Sequence, residues 1–170
     1  PTRKKIGKRT IFNMIGPLSS PALVDRQVVG VFDKKLLKIF ANALNNLNIK
    51  FAWIVNSEDG LDEISPYAKT NIVQLKNGKI TEIIIDPKEL NINANKFEDL
   101  LGDDVQFNAN KMLDIFKGKD NDFSKAVCLN SAAGLIVNES HQNFADAYSD
   151  SRKHILSGKA IKHIEKIQNA

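Results

Sequence analysis

The chain has 170 residues, enough for one domain at about 150 residues per domain. With 42% hydrophobic and 26% charged residues it can bury a sizeable core, which excludes a disordered or low-complexity segment. The formal charge is +4. Arg3, Lys4, Lys5, Lys8 and Arg9 carry five positive charges within the first ten residues and leave the other 160 at −1. A charge-driven nucleic-acid partner is therefore not expected. No apolar run approaches the roughly 18 residues of a membrane span. A single cysteine, Cys128, excludes an internal disulfide and a cysteine-rich zinc site, and no signal peptide opens the chain, so the expected compartment is the cytoplasm. The text runs from Pro1 straight into a basic segment, which reads as a piece of a longer protein.

In chain order, Gln27 to Phe32 (QVVGVF) reads as a short β-branched strand. Helical spacing follows, with Asp33 as N-cap and Leu36, Leu37, Phe40, Ala41, Leu44 and Leu47 on one face, stopping at the Asn45, Asn46, Asn48 cluster. Phe51 to Val55 (FAWIV) is a second apolar strand. Strand, helix, strand predicts a right-handed βαβ unit with buried parallel strands.

After a loop over 56–69, Asn71 to Leu75 and Ile80 to Ile85 form a predicted hairpin, its turn built on Asn77-Gly78. The hairpin makes the sheet mixed. From Asp86 to Asp104 an Asn-rich stretch predicts a long loop with at most one short helical turn. The remainder is expected to be helical over 104–117, 123–138, 140–156 and 159–168, with Gly118 and Gly158 as stops. The fold class is α/β: a mixed, largely parallel sheet flanked by helices.

The first chemical candidate is Asp59-Gly60-Leu61-Asp62-Glu63, directly after the strand Phe51 to Val55. Ligands of open α/β sheets bind beyond the carboxyl ends of the strands. Paired carboxylates there suit Mg²⁺, which keeps its remaining positions for water and substrate phosphates. By spacing alone, a solvated acidic turn is the commoner explanation of such a run.

The second candidate is the basic segment Arg3 to Pro21, where Gly7, Gly16 and Pro17 allow sharp turns and Arg3 or Arg9 could grip a carboxylate or phosphate. A basic linker is the plainer alternative. His141, His154 and His163 lack the spacing of helix-borne metal ligands and read as surface residues. Cys128 sits in an apolar helix and reads as packing. There is no P-loop and no G-x-G-x-x-G.

The segment RKKIGKRTIFNMIGPLSSPA, Arg3 to Ala22, resembles the R-x-x-L-G-x-R-T-x-F-N-x-x-G-P-L-x-N-P-A signature of anthranilate phosphoribosyltransferases. The likeness continues, in family order, through Gln27 to Phe32, Asp59 to Ser65, Leu129 to Leu135 and Ser157 to Ala160. It covers roughly the C-terminal half of such an enzyme and lacks the small helical domain and the Gly-rich phosphate loop of the family. The resemblance implies the C-terminal part of the large domain of the nucleoside phosphorylase/phosphoribosyltransferase type, with 1–170 forming part of a single catalytic domain.

It also implies transfer of a phosphoribosyl group from phosphoribosyl pyrophosphate to the amino group of anthranilate, a step of tryptophan biosynthesis. Arg3 would hold the anthranilate carboxylate, Gly16 and Pro17 would line the anthranilate path, and Asp62 and Glu63 would bind Mg²⁺ on the pyrophosphate. No catalytic His or Cys is needed when leaving-group neutralisation and amine positioning dominate. The chain alone is expected to be inactive. In the family the homodimer contact belongs to the small helical domain, so this fragment can be monomeric. Ser20 stands where the family usually has Asn. Two other readings are a nucleic-acid-binding relative of this fold, which would need neither Arg3 nor the Asp62-Glu63 pair, and a pyrimidine nucleoside phosphorylase relative, which lacks the Arg3 to Ala22 signature.

Overall fold

The structure is a computed structural model that describes residues 12–19, 21–94 and 97–169. Arg3 and the other basic residues of the first ten lie outside them. The described elements begin with a helical turn α1 (Phe12–Ile15), continued by a 3₁₀ turn (Gly16–Leu18). Strand β1 (Arg26–Gly30), helix α2 (Leu36–Asn46), strand β2 (Phe51–Ser57) and the strands β3 (Thr70–Lys76) and β4 (Lys79–Ile85) follow. Helices α3 (Val105–Phe116), α4 (Asp122–Val137), α5 (Phe144–Leu156) and α6 (Ala160–Gln168) complete the chain.

Among the described residues the strands form one sheet in the order β1-β2-β3-β4. β1 and β2 pair in parallel, Val29 opposite Ile54, as the βαβ reading predicts. β2·β3 and β3·β4 are antiparallel. The sheet is mixed and flanked by helices, as expected, but the parallel share within this chain is smaller than expected: only the β1·β2 pair. The two-residue turn with Asn77 at φ 49° and Gly78 at φ 80° returns the chain beside itself and sets β3·β4. The loop after β2, closed by the Glu58 N–H to Lys69 C=O bond, returns β3 antiparallel beside β2.

Strand β2 is buried at every position, which is possible because both faces of the sheet are covered. Ala52 and Ile54 point to one face and join Val29, Val31, Leu37, Phe40, Ala41 and Leu44 under α2. Phe51, Trp53 and Val55 point to the other and join Leu129, Ala132, Ala133 and Ile136 of α4 and Ala147 and Tyr148 of α5. Burial of one such Leu or Phe contributes about 1.5–3 kcal/mol, and because both faces are covered the strand is a continuous apolar run whose successive side chains serve the two layers in turn. Strand β4 lies at the edge, with Ile84 60% exposed.

The helix ends show what the sequence signals mean physically. The N-cap position of α2 is Lys35, with no side-chain cap, and not Asp33 as expected; Asp33 Oδ1 instead accepts the Lys35 N–H (2.9 Å) and closes the turn just before the helix. Asn121 and Ser124 make a reciprocal capping box at the start of α4. Helix α5 starts at Phe144, later than the expected 140, because the Asn143 side chain accepts the N–H groups of Ala145 and Asp146 and so sets the first turn. The stretch from Asp86 to Asp104 contains two 3₁₀ turns, Pro87–Leu90 and Phe97–Leu100, where one at most is expected. The first is set by Asp86, whose side chain caps the Lys88 N–H, with Pro87 at the first helical position.

Candidate functional site

Strand β2 ends at Ser57, and the chain returns to β3 at Thr70 through a loop that carries both acidic candidates. The loop is compact because it bonds to itself, like an Ω-loop. Ser57 N–H donates to Leu61 C=O (2.9 Å) and Glu58 N–H to Lys69 C=O (2.9 Å). Asp59 serves as its internal post: Oδ2 accepts the Ser65 hydroxyl at 2.5 Å, and Oδ1 accepts the Leu61 N–H at 3.3 Å. Ser65 Oγ in turn accepts the N–H groups of Tyr67 (2.9 Å) and Ala68 (3.3 Å). Tyr67 O–H reaches the buried Asp122 of α4 at 2.9 Å. Asp59 is therefore a structural acid.

Asp62 and Glu63 are different: both are exposed, and neither enters an ion pair among the described residues. Partial loss of hydration around the Glu63 carboxyl, reinforced by the negative charge of Asp62, holds it above the usual glutamate range. Two neighbouring carboxylates that repel each other fit a hard divalent cation. Among the described residues no group of three or more His, Cys, Asp or Glu side chains is gathered to hold a metal. The donor set here is a pair, as Mg²⁺ sites completed by substrate phosphates use.

Two residues outside the loop position it. A Cβ at Gly30 would lie 1.7 Å from the Asp62 carbonyl oxygen, so the acidic loop rests directly on the end of β1 and only glycine fits. The amide of Asn130, in the middle of α4, meets the backbone of Ile64. Gly30 had a readable signal, since a glycine inside a strand marks close backbone approach. Asn130 had none.

Gly16 and Pro17 lie elsewhere. Pro17 lines a cavity of about 260 Å³ with Leu18, Asp25 and Gln27 at the start of β1 and Leu47 and Ile49 after α2. The acidic loop touches the far end of β1, whereas the cavity that Pro17 lines lies at the start of that strand. Cys128 is buried, and desolvation pushes its thiol up to about 11, which excludes a thiolate nucleophile at neutral pH. His154 and His163 are exposed as expected. His141 is a correction: its side chain is only 23% exposed and its Nε2 lies 3.0 Å from Asp150, because the turn before α5 folds it against that helix.

Residues 1–161 match the glycosyl transferase family, a/b domain. The chain belongs to this glycosyl transferase family. Among the relatives of this glycosyl transferase domain, an anthranilate phosphoribosyltransferase of Pelagibacter ubique is 80% identical over 169 residues, covering 99% of this chain and 51% of the relative. That of Alkaliphilus metalliredigens is 36% identical over 165 residues, 97% of this chain and 49% of the relative. The chain thus spans about half the length of the curated relatives it matches. The crystal structure of the Thermus thermophilus anthranilate phosphoribosyltransferase superposes with a TM-score of 0.86 at 29% identity, over 98% of this chain and 49% of that one. A Saccharomyces cerevisiae anthranilate phosphoribosyltransferase solved with phosphoribosyl pyrophosphate and Mg gives 0.82 at 25% identity, over 96% and 47%. No helix among the described residues is long and apolar enough to cross a membrane.

Proposed function

We propose that the chain is the C-terminal half of an anthranilate phosphoribosyltransferase, part of a single catalytic domain completed by a second half of similar length, which also makes the homodimer contact. The enzyme moves the 5-phosphoribosyl group from phosphoribosyl pyrophosphate to the anthranilate amino group, giving N-(5-phosphoribosyl)anthranilate and pyrophosphate, a cytoplasmic step of tryptophan biosynthesis. The observation that carries this reading is the exposed Asp62-Glu63 pair, locked beyond the carboxyl end of β2 by Gly30 and Asn130. The near-neutral body and the Arg3 to Ala22 signature favour it over nucleic-acid binding or nucleoside phosphorolysis.

Asp62 and Glu63 would hold Mg²⁺, which when bound supplies neutralisation of the pyrophosphate leaving group. The chain's own residues then have separate tasks. The C–N bond forms from the anthranilate amine as the C–O bond to pyrophosphate breaks, the electron pair leaving with pyrophosphate and the amine proton going to solvent. Arg3 grips the anthranilate carboxylate through its guanidinium fork. Gly16 and Pro17 line the anthranilate approach, and the hydrogen bonds of Asp59 and Ser65 keep the carboxylates preorganised.

A chimera in which these 170 residues replace the corresponding half of the Pelagibacter ubique relative provides the test enzyme. In it, Arg3→Ala raises the anthranilate KM roughly 10- to 150-fold, since a lost charge-assisted contact costs about 1.5–3 kcal/mol. The KM for phosphoribosyl pyrophosphate changes little. Equal effects on both substrates contradict the role of Arg3.

The raised Glu63 carboxyl predicts a pH dependence. A cation needs the ionised form, so as pH rises through the elevated Glu63 pKa the competing proton leaves and Mg²⁺ affinity rises. The half-saturating Mg²⁺ concentration therefore falls between the ordinary glutamate range and neutrality. In Glu63→Gln that dependence disappears; its persistence would assign it to another group.

A further inference from the structure

We infer that Asn130 is a positioning residue for the Asp62-Glu63 pair: its side-chain amide clamps the main chain of Ile64, the residue next to Glu63, and thereby fixes where the two carboxylates point. This rests on the metal role proposed above for that pair.

The geometry is reciprocal. Asn130 Oδ1 accepts the Ile64 N–H at 2.9 Å, and Asn130 Nδ2 donates to the Ile64 carbonyl at 3.2 Å and to the Ala126 carbonyl one helical turn back at 2.9 Å. The third bond ties the amide to α4 itself and orients it. Oxygen and nitrogen cannot exchange places, because Nδ2 faces two carbonyls and Oδ1 an N–H. An amide that meets both the N–H and the C=O of one residue imitates a neighbouring β-strand. It holds a loop residue that has no strand partner, and the Ile64 side chain is fully buried beneath it.

The position matters as much as the bonds. Gly30 supports Asp62 from the β1 side, and Asn130 holds Ile64 from the α4 side, so the Asp62-Glu63 dipeptide is suspended between two rigid elements. Asp59 and Ser65 fix the loop's internal shape, and Tyr67 and Ser65 tie its far half to Asp122 of α4 and Thr70 of β3, while Asn130 and Gly30 hold the stretch that carries the acidic pair itself. Residues that orient metal-holding groups in this way typically contribute 10- to 100-fold to metal affinity when removed.

The test uses the chimera and two readouts: Mn²⁺ binding in the presence of pyrophosphate, followed by electron paramagnetic resonance, and hydrogen exchange of the Ile64 amide. Asn130→Ala is expected to weaken Mn²⁺ binding about 10- to 100-fold and to raise the Mg²⁺ requirement, with the anthranilate KM unchanged. The Ile64 amide becomes exchange-labile. Asn130→Asp keeps the acceptor and the shape but loses both donor bonds, so it serves if Asn130→Ala unfolds, and is expected to weaken Mn²⁺ while keeping part of the Ile64 protection. In a background of Asp62→Asn with Glu63→Gln, Asn130→Ala produces no further loss of Mn²⁺ affinity, because Asn130 acts through the pair.

Unchanged Mn²⁺ affinity alongside a labile Ile64 amide overturns the inference, as does full amide protection in Asn130→Ala. If the unsubstituted chimera binds Mn²⁺ and loses it on Asn130→Ala yet transfers no phosphoribosyl group, the proposed reaction fails and the clamp stands. Failure of the unsubstituted chimera to bind Mn²⁺ with pyrophosphate overturns both.

Discussion

Asp62→Asn combined with Glu63→Gln is expected to lower turnover of the completed enzyme by about 10²- to 10³-fold at limiting Mg²⁺ while leaving the fold intact. The magnitude follows from the several kcal/mol that a metal contributes to charge stabilisation, at about 1.4 kcal/mol per tenfold in rate. The fold survives because both side chains are exposed and the loop is held by other groups: Asp59 and Ser65 within it, Asn130 and Gly30 outside it. Neutral side chains also remove the cost of a partly desolvated Glu63 carboxylate and its smaller repulsion from Asp62, so the melting temperature is not expected to fall. Steady-state rates across a Mg²⁺ titration, with circular dichroism as the fold control, check both halves of this expectation. Near-normal turnover at limiting Mg²⁺ would remove the pair from the site.

Gly30→Ala has a comparable expected effect from a different cause. The added methyl would sit 1.7 Å from the Asp62 carbonyl oxygen, and that oxygen belongs to backbone, which cannot rotate away as a flexible side chain could. The acidic loop must shift. A displacement of about 1 Å at a reacting group lowers rates on the order of 10²-fold, and overpacking of this kind costs about 1–3 kcal/mol of stability. The variant should therefore show a raised Mg²⁺ requirement, a turnover lowered about 10²-fold and a modestly lowered melting temperature. Wild-type kinetics for Gly30→Ala would mean that the loop does not rest on β1 in the working enzyme.

Much of the architecture is legible from local chemistry. The uninterrupted apolar run Phe51 to Val55, the 3.6-residue spacing of Leu37, Phe40, Ala41 and Leu44, and the Asn77-Gly78 turn each commit a segment on physical grounds that tertiary structure does not override. Boundaries are less legible, because they depend on which Asn or Asp captures the first free N–H groups, as Asn143 does at α5.

The candidate site is legible in part. The acidic run announces itself by composition, and its place beyond β2 follows from sheet topology. What separates Asp59 from Asp62 and Glu63 is a hydroxyl six residues away that only folding brings back. Asn130 lies 66 residues from Ile64, and no spacing rule connects a mid-helix amide to a loop backbone.

The most direct measurement follows anthranilate fluorescence in the chimera with phosphoribosyl pyrophosphate and Mg²⁺, together with pyrophosphate release. Loss of anthranilate is expected to be matched one to one by pyrophosphate, abolished by chelation of Mg²⁺ and strongly reduced in Asp62→Asn with Glu63→Gln. Anthranilate left unconsumed while the folded chimera cleaves a pyrimidine nucleoside with phosphate, or binds DNA with an affinity that falls steeply with salt, would contradict it.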